Sequence, residues 1–183
     1  MCKIRSNSIK LAFIVVMATL IMACKKDHNI SGRQQILFQY DYNNNAWGSQ
    51  HNGFLIDNNG NILLYNNPED WNYHDKFLVL TEEKVNENIR KCEFSGMKIP
   101  KEELHKYTNY IRNISSSQVS AKRNIANDAG ITEFICYQYS ESTGTYEGHL
   151  IKMEGDYTCE NLNFYSKKVA AWMRGIENNI GSR

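Results

Sequence analysis

The chain has 183 residues, with 21 Lys and Arg against 20 Asp and Glu, and its formal net charge is +1 at pH 7. That length predicts one domain of ordinary size rather than a multidomain assembly. The near-neutral balance, with no dense basic patch, excludes the electrostatic footprint of a nucleic-acid-binding protein.

The N-terminal residues have the pattern of an export signal. Lys3, Arg5 and Lys10 precede an almost purely apolar run over residues 11–23, and no acid interrupts it. The run is shorter than the roughly 20 residues that a membrane-spanning helix needs. Its length and its basic start are typical of a signal peptide.

The end of this run, "LIMAC", resembles the lipobox of bacterial lipoproteins. In that pattern Leu20 and Ile21 are the apolar positions, Ala23 is the small residue before the cleavage point, and Cys24 is the modified residue. The resemblance implies removal of residues 1–23, a diacylglycerol group on the Cys24 thiol and a further acyl chain, such as palmitate, on its amine. The alternative is an ordinary cleavage site that a cysteine happens to follow.

Residues 24–35 are predicted to be the lipidated cysteine and a flexible polar tether. Two or more acyl chains give stable membrane anchoring, so the mature chain would be anchored to a membrane without spanning it. Where lipoproteins are sorted by the next residue, Lys25 favours the outer membrane over retention at the inner one. The composition resembles small Bacteroidota-type envelope lipoproteins, and Asp27 alone leaves both the periplasmic face and the cell surface open.

Residues 36–180 are predicted to form a single globular α+β domain, an antiparallel sheet built from hairpins with about three helices packed on one face. Residues 34–42 are rich in aromatic and aliphatic side chains, which predicts a strand. Residues 51–65 predict a hairpin, because apolar runs flank the Asn- and Gly-rich turn at residues 58–61.

Helices are predicted next in the chain. Thr81 and the acids after it predict an N-capped helix over residues 81–92, and Pro100 predicts the start of a second helix that continues to Ile114. Residues 115–130 form a long polar connection.

The remaining residues predict one more hairpin and one more helix. Two apolar segments flank the turn at residues 141–144, and an apolar stripe at helical spacing covers residues 163–176.

Two loops rich in Trp, Tyr and His are the candidate ligand-binding residues. Trp47 and His51 lie in one, and Trp71, Tyr73 and His74 lie in the other. Sugar rings stack on exposed aromatic faces, so these residues predict a glycan-binding end of the sheet if the loops meet. The alternative is that the two tryptophans pack in or beside the core, as large aromatic residues usually do.

No sequence signature of catalysis or of a cofactor is present, and no residue pattern indicates a metal site. Residues 57–61, "DNNGN", resemble half of a calcium loop but lack its glycine and glutamate positions, so a hairpin turn is the better interpretation. Cys136 and His149 could form a nucleophile pair across neighbouring strands, although a thiol in an apolar strand is usually inert.

Three cysteines belong to the predicted domain: Cys92, Cys136 and Cys159. An exported protein meets an oxidising compartment, so one disulfide among them is a hypothesis that leaves one thiol over. The alternative is three buried free cysteines.

Three functions are consistent with the sequence. The first is a non-catalytic envelope lipoprotein that binds a protein partner or a glycan. The second is an envelope hydrolase with a dispersed pair of carboxylates. The third is an immunity or inhibitor protein. The missing catalytic signature makes an enzyme the less favoured class.

The lipid anchor gives the first prediction. Replacing Cys24 by Ser should abolish acylation and leave the precursor uncleaved, because the thiol is the acceptor on which processing depends. Intact-mass spectrometry of membrane fractions measures both results. A wild-type chain without acyl mass, or one that retains residues 1–23, would contradict the anchor.

Overall fold

The computed structural model describes residues 31–46 and 48–181, and an antiparallel sheet with helices on its faces confirms the α+β class. Nine strands occur in that part of the chain: β1 Ile36–Asn44, β2 Gln50–Asp57, β3 Asn61–Asn66, β4 Val79–Thr81, β5 Glu93–Lys98, β6 Arg123–Asn124, β7 Ile131–Ser140, β8 Thr145–Gly155 and β9 Tyr157–Glu160. Four helices accompany them: α1 Glu82–Arg90, α2 Lys101–Thr108, α3 Ile111–Ser115 and α4 Phe164–Gly181.

The strand order is β5-β3-β2-β1-β7-β8-β9-β6, and β4 pairs with β8 beside β9. Both predicted hairpins are present. The first turns through Gly60, whose φ of +83° is a conformation that glycine adopts without strain. Local turn chemistry therefore sets the register of β2 with β3 and of β7 with β8.

The sheet has two distinct ends. The proximal end contains the start of β1 and the β7–β8 turn, where the Ser31 hydroxyl donates to Glu141 at 2.5 Å. The distal end contains the last residues of β1 and the first residues of β2 and β7. Nine residues of β1 separate the two ends by about 30 Å at 3.3 Å per residue.

One face of the sheet, the helical face, packs against α2, α3 and α4. Phe38 and Phe134 lie in the centre of this core, and the ring centroids of Phe38 and Trp172 are 5.2 Å apart in an edge-to-face contact. Val169 and Met173 of α4 are fully buried on the same stripe. The predicted apolar periodicity of the last helix therefore faces the sheet.

The opposite face, the loop face, has its own apolar core. Residues 67–78 leave β3, cross this face and join β4 on the far side of β8, and α1 then returns to β5. Trp71 of the crossing segment and Val85 of α1 pack on Leu55 and Tyr137 of the sheet. Both faces are thus covered, whereas the sequence predicted helices on one face alone.

Four strands and one helix break were not predicted. The strands β4, β6 and β9 have three, two and four residues, too few for a periodic pattern. In β5, Gly96 has a φ of +77° and the register shifts, which disrupts the alternation. The helix predicted from Pro100 to Ile114 ends at Thr108, and α3 begins after a turn at Asn109.

The predicted signal peptide and the first residues of the tether, with Ala23 and Cys24, lie outside the described residues. Among the residues that the structure does describe, no helix combines the length and the apolar character needed to cross a membrane.

The helical-face core gives a stability prediction. Phe38→Ala should lower the free energy of unfolding by about 3–5 kcal/mol, because it leaves a cavity beneath Trp172. Phe94→Ala is the matched control, since that ring is 58% exposed and its loss should cost less than about 1 kcal/mol. Urea unfolding followed by circular dichroism gives both values. Equal decreases in unfolding free energy for the two variants would contradict a core centred on Phe38.

Candidate functional site

A cleft of about 510 Å³ opens on the loop face at the distal end of the sheet. It lies between the ends of β1 and β7 and the crossing segment, and we call it the distal cleft. Acidic and amide side chains dominate its lining, which includes Asp41, Asn43, Asn72, Tyr73, His74, Asp128, Glu133 and Asp156. Such a surface offers many hydrogen-bonding groups to a polar ligand.

The floor of the distal cleft is the buried carboxylate of Asp41. Its Oδ1 accepts hydrogen bonds from Tyr65 Oη at 2.5 Å, His51 Nε2 at 2.9 Å and Gln39 Nε2 at 3.1 Å. The Tyr137 hydroxyl donates to Gln39 Oε1 at 2.6 Å and extends the network. These donors compensate the desolvation of a buried charge, which would otherwise be costly.

Gly53 makes this arrangement sterically feasible. It lies between Asp41 and Tyr65 in the register of β1, β2 and β3. A Cβ atom on Gly53 would lie 2.0 Å from the Tyr40 carbonyl oxygen and 2.5 Å from the Tyr65 hydroxyl. Only a glycine at this position lets the tyrosine reach across β2 to the carboxylate.

His51 connects the floor to the mouth of the distal cleft. The ring is 3% exposed; its Nε2 bonds Asp41, and its Nδ1 lies 3.3 Å from the hydroxyl of Tyr73. Tyr73 is 55% exposed and lines the cleft. Burial and the Asp41 charge raise the pKa of Tyr73, so its hydroxyl stays protonated at neutral pH.

One wall of the distal cleft is held by α1. Asn88 is buried, its Oδ1 accepts from the Asn72 backbone N–H at 2.9 Å, and its Nδ2 donates to the Asn72 carbonyl at 2.8 Å. Trp71, the preceding residue, is 8% exposed and stacks on Tyr65 at 4.3 Å. The two anchors fix the crossing segment at Trp71 and Asn72, so the aromatic wall is ordered by packing and hydrogen bonds.

The ring of His74 forms an ion pair within the distal cleft. Its Nδ1 donates to the Asp75 carbonyl at 3.0 Å, and its Nε2 lies 3.3 Å from Glu133 Oε2. Burial lowers the pKa of His74, but the hydrogen bonds and the charges of Glu133 and Asp41 outweigh this effect and raise it. A carbonyl only accepts, so a second proton on Nε2 best satisfies the carboxylate.

The rim of the distal cleft is formed by the turn before β7. Asp156 Oδ1 accepts from the Ala129 backbone N–H at 2.8 Å, and Asn44 Nδ2 donates to the Asp128 carbonyl oxygen at 3.3 Å. The Asp128 carboxylate is exposed and has no partner among the described residues. Lys122, also at the rim, lies over the Tyr157 ring at 4.1 Å.

The structure brings four of the five predicted ligand-binding residues together. Tyr73 and His74 line the distal cleft, while His51 and Trp71 support it from buried positions. Trp47 lies outside the described residues. The packing interpretation therefore applies to Trp71, and the exposed aromatic face at the cleft is that of Tyr73.

Sequence reasoning missed the carboxylates of Asp41 and Glu133. They are register partners on β1 and β7, on the same face of the sheet. The alternation of polar with aromatic residues over 38–43 signals a strand with one polar face, but that pattern is also typical of a face in water. Nothing local shows that a later segment covers this face.

The three cysteines of the domain are free thiols in the structure, and no disulfide joins them. Cys136 is fully buried on the helical face, whereas Cys92 packs on the loop face, so the sheet lies between these two residues. Burial raises the pKa of the Cys136 thiol, which therefore stays protonated. Its Sγ faces the His149 carbonyl, and the His149 ring bonds Gln138 instead.

The "DNNGN" segment is a hairpin turn. Asp57 Oδ1 accepts from the backbone N–H groups of Asn59 and Asn61, at 2.8 and 2.7 Å. The carboxylate thus serves the turn itself. Within residues 31–46 and 48–181, no group of three or more His, Cys, Asp or Glu side chains is arranged to hold a metal ion.

Comparison of the chain with protein-family models, with curated proteins and with solved structures finds no match in any of the three.

The His74 ion pair predicts a pH dependence. The pKa of His74 should lie above the usual value of about 6.5, and that of His149 below it, because burial dominates at His149. The pair's stabilisation should be fully present below about pH 6.5 and should disappear as pH rises through the folded pKa of His74.

Two measurements check this. NMR titration of the histidine rings in wild type and Glu133→Gln should show the His74 pKa fall in the variant while that of His149 stays constant. The difference in unfolding free energy between the two proteins should shrink with rising pH. A His74 pKa unaffected by the substitution would exclude the ion pair.

Proposed function

We propose that the protein is a lipid-anchored lipoprotein of the bacterial envelope that binds a glycan in the distal cleft without transforming it. The proposal joins the lipobox resemblance at Cys24 with the cleft at the other end of the domain. The outer membrane is the favoured site, with the periplasmic face and the cell surface both open.

The observation that carries the binding role is an exposed aromatic ring inside a polar concavity. Tyr73 is the exposed ring, and amides and carboxylates such as Asn43, Asn72 and Glu133 surround it. Sugars present apolar ring faces together with a girdle of hydroxyl groups, so they need this combination of surfaces. A site for an apolar ligand would instead be lined chiefly by hydrophobic side chains.

The position of the distal cleft supports a ligand from outside the anchoring membrane. Ser31 is at the proximal end of the sheet, seven residues after Cys24. Seven residues span at most about 25 Å when extended. The cleft is about 30 Å further away along β1. An acylated Cys24 would therefore present the cleft away from the bilayer.

A hydrolase is the second candidate, because two carboxylates of neighbouring strands line the same cleft. Asp41 and Glu133 are direct register partners, and hydrolysis of a glycosidic bond uses a pair of carboxyl groups that flank it. Three donors already occupy Asp41 Oδ1, and His74 holds Glu133, so both groups have structural partners. This favours binding over catalysis.

The test is a glycan array probed with the lipidated protein in detergent micelles. The strongest array hit is then titrated by calorimetry against wild type and Tyr73→Ala. We expect the variant to bind about 2- to 10-fold more weakly, because stacking on an aromatic face contributes about 0.5–1.5 kcal/mol.

Phe94→Ala is the matched control, because it removes an equally exposed ring from β5, which does not line the distal cleft. Its affinity should equal that of wild type. A blank array, or equal weakening by both variants, would contradict a glycan site at the cleft. Reducing ends released by wild type but not by Glu133→Gln would favour the hydrolase instead.

A further inference from the structure

We propose that the glycan bound by the distal cleft carries a protonated amine, as in a glucosamine unit whose amino group is not acetylated. This inference rests on the proposed function, because it names the chemical class of ligand for the same site. Three features of the cleft carry it: a net negative lining, a largely buried carboxylate with one oxygen that no described residue bonds, and an aromatic ring held in place.

The lining of the distal cleft is negative. Its charged residues are four acids and two bases: Asp41, Asp128, Glu133, Asp156, Lys122 and His74. With histidine counted as neutral, four acids and one base leave a net charge of −3, and a protonated His74 leaves −2. A concave, partly water-excluding surface strengthens the attraction of such charges for a cation.

Asp41 offers the most specific point of attachment. It is 9% exposed, lines the distal cleft, and uses only Oδ1 for its bonds to Gln39, His51 and Tyr65. Oδ2 accepts no hydrogen bond from any residue that the structure describes. The accessible oxygen of a largely buried carboxylate gains most from a charged donor, and an ammonium group is the donor of that kind that a sugar can carry.

The exposed ring of Tyr73 is the complementary surface for the same group. Ammonium ions and the polarised C–H faces of sugars both bind aromatic faces. The hydrogen bond to His51, itself bonded to Asp41, holds the ring relative to the carboxylate. His51 is thus a positioning residue for Tyr73.

The acids around the ring should also discriminate among sugar substituents. An acetamido group is neutral and bulkier than an amine, and it would desolvate Glu133 and Asp128 without neutralising them. A hydroxyl group donates one neutral hydrogen bond. The expected order of affinity is therefore amine first, hydroxyl second and acetamide last.

Three tetrasaccharides with one β-1,4 backbone test this order. They are the tetramers of glucosamine, glucose and N-acetylglucosamine, which differ only at carbon 2. Calorimetry uses the lipidated full-length protein in micelles, in slightly acidic buffer at low and high salt. We expect the glucosamine tetramer to bind about tenfold more tightly than the glucose tetramer, with a ratio that falls as salt rises.

Asp128→Asn should reduce this preference about threefold, because it removes one negative charge from the rim of the cleft. Glu102→Gln is the matched control, since this exposed acid lies on α2, on the helical face. It should change neither affinity.

The outcomes separate the inference from the proposed function. Equal affinities for the three tetramers, or a preference for the acetylated one, would overturn the amine and leave a glycan site. Tetralysine binding as tightly as the glucosamine tetramer would overturn the sugar class. If none of the tetramers binds, the inference fails, and the array alone then decides whether the cleft takes another glycan.

Discussion

The buried carboxylate of Asp41 is the constraint on which the distal half of the molecule depends. A charge at this depth is tolerated only with strong donors around it, and those donors come from β1, β2 and β3 as Gln39, His51 and Tyr65. Three neighbouring strands therefore carry polar groups at one place on the loop face. An apolar helix packed over these polar groups would leave some of them without hydrogen-bond partners. The loop-face core therefore stops there, and the distal cleft opens beside that core.

The fold could be predicted where its signals are local. Gly60 and the turn residues determine the first hairpin, Thr81 caps α1 with a bond from the Lys84 N–H, and the stripe of α4 faces the sheet. The second covered face could not be predicted, because it depends on where residues 67–78 cross. That path is set by the pairing of β4 with β8, a three-residue contact between segments distant in the chain.

The candidate site could be predicted only in part, because local sequence signals do not show how distant segments meet. Loops rich in Trp, Tyr and His indicated one end of the sheet, and His51, Trp71, Tyr73 and His74 do meet there. Composition did not distinguish the roles of Trp71 and Tyr73. The stacking of Trp71 on Tyr65 makes it part of the core, and the bond of Tyr73 to His51 keeps its ring at the surface. Both outcomes follow from a network that only the assembled strands create.

The network also couples the stability of the sheet to the shape of the distal cleft. Gly53 and Asp41 are register partners, and Tyr65 reaches the carboxylate only because Gly53 has no side chain. Any larger residue there would displace Tyr65, remove one donor from Asp41 and disturb the ring on which Trp71 stacks. The effect would then reach Tyr73 through His51, although the substituted residue, Gly53, does not itself line the cleft. A position in the middle of a strand thus controls the geometry of a surface that it does not touch.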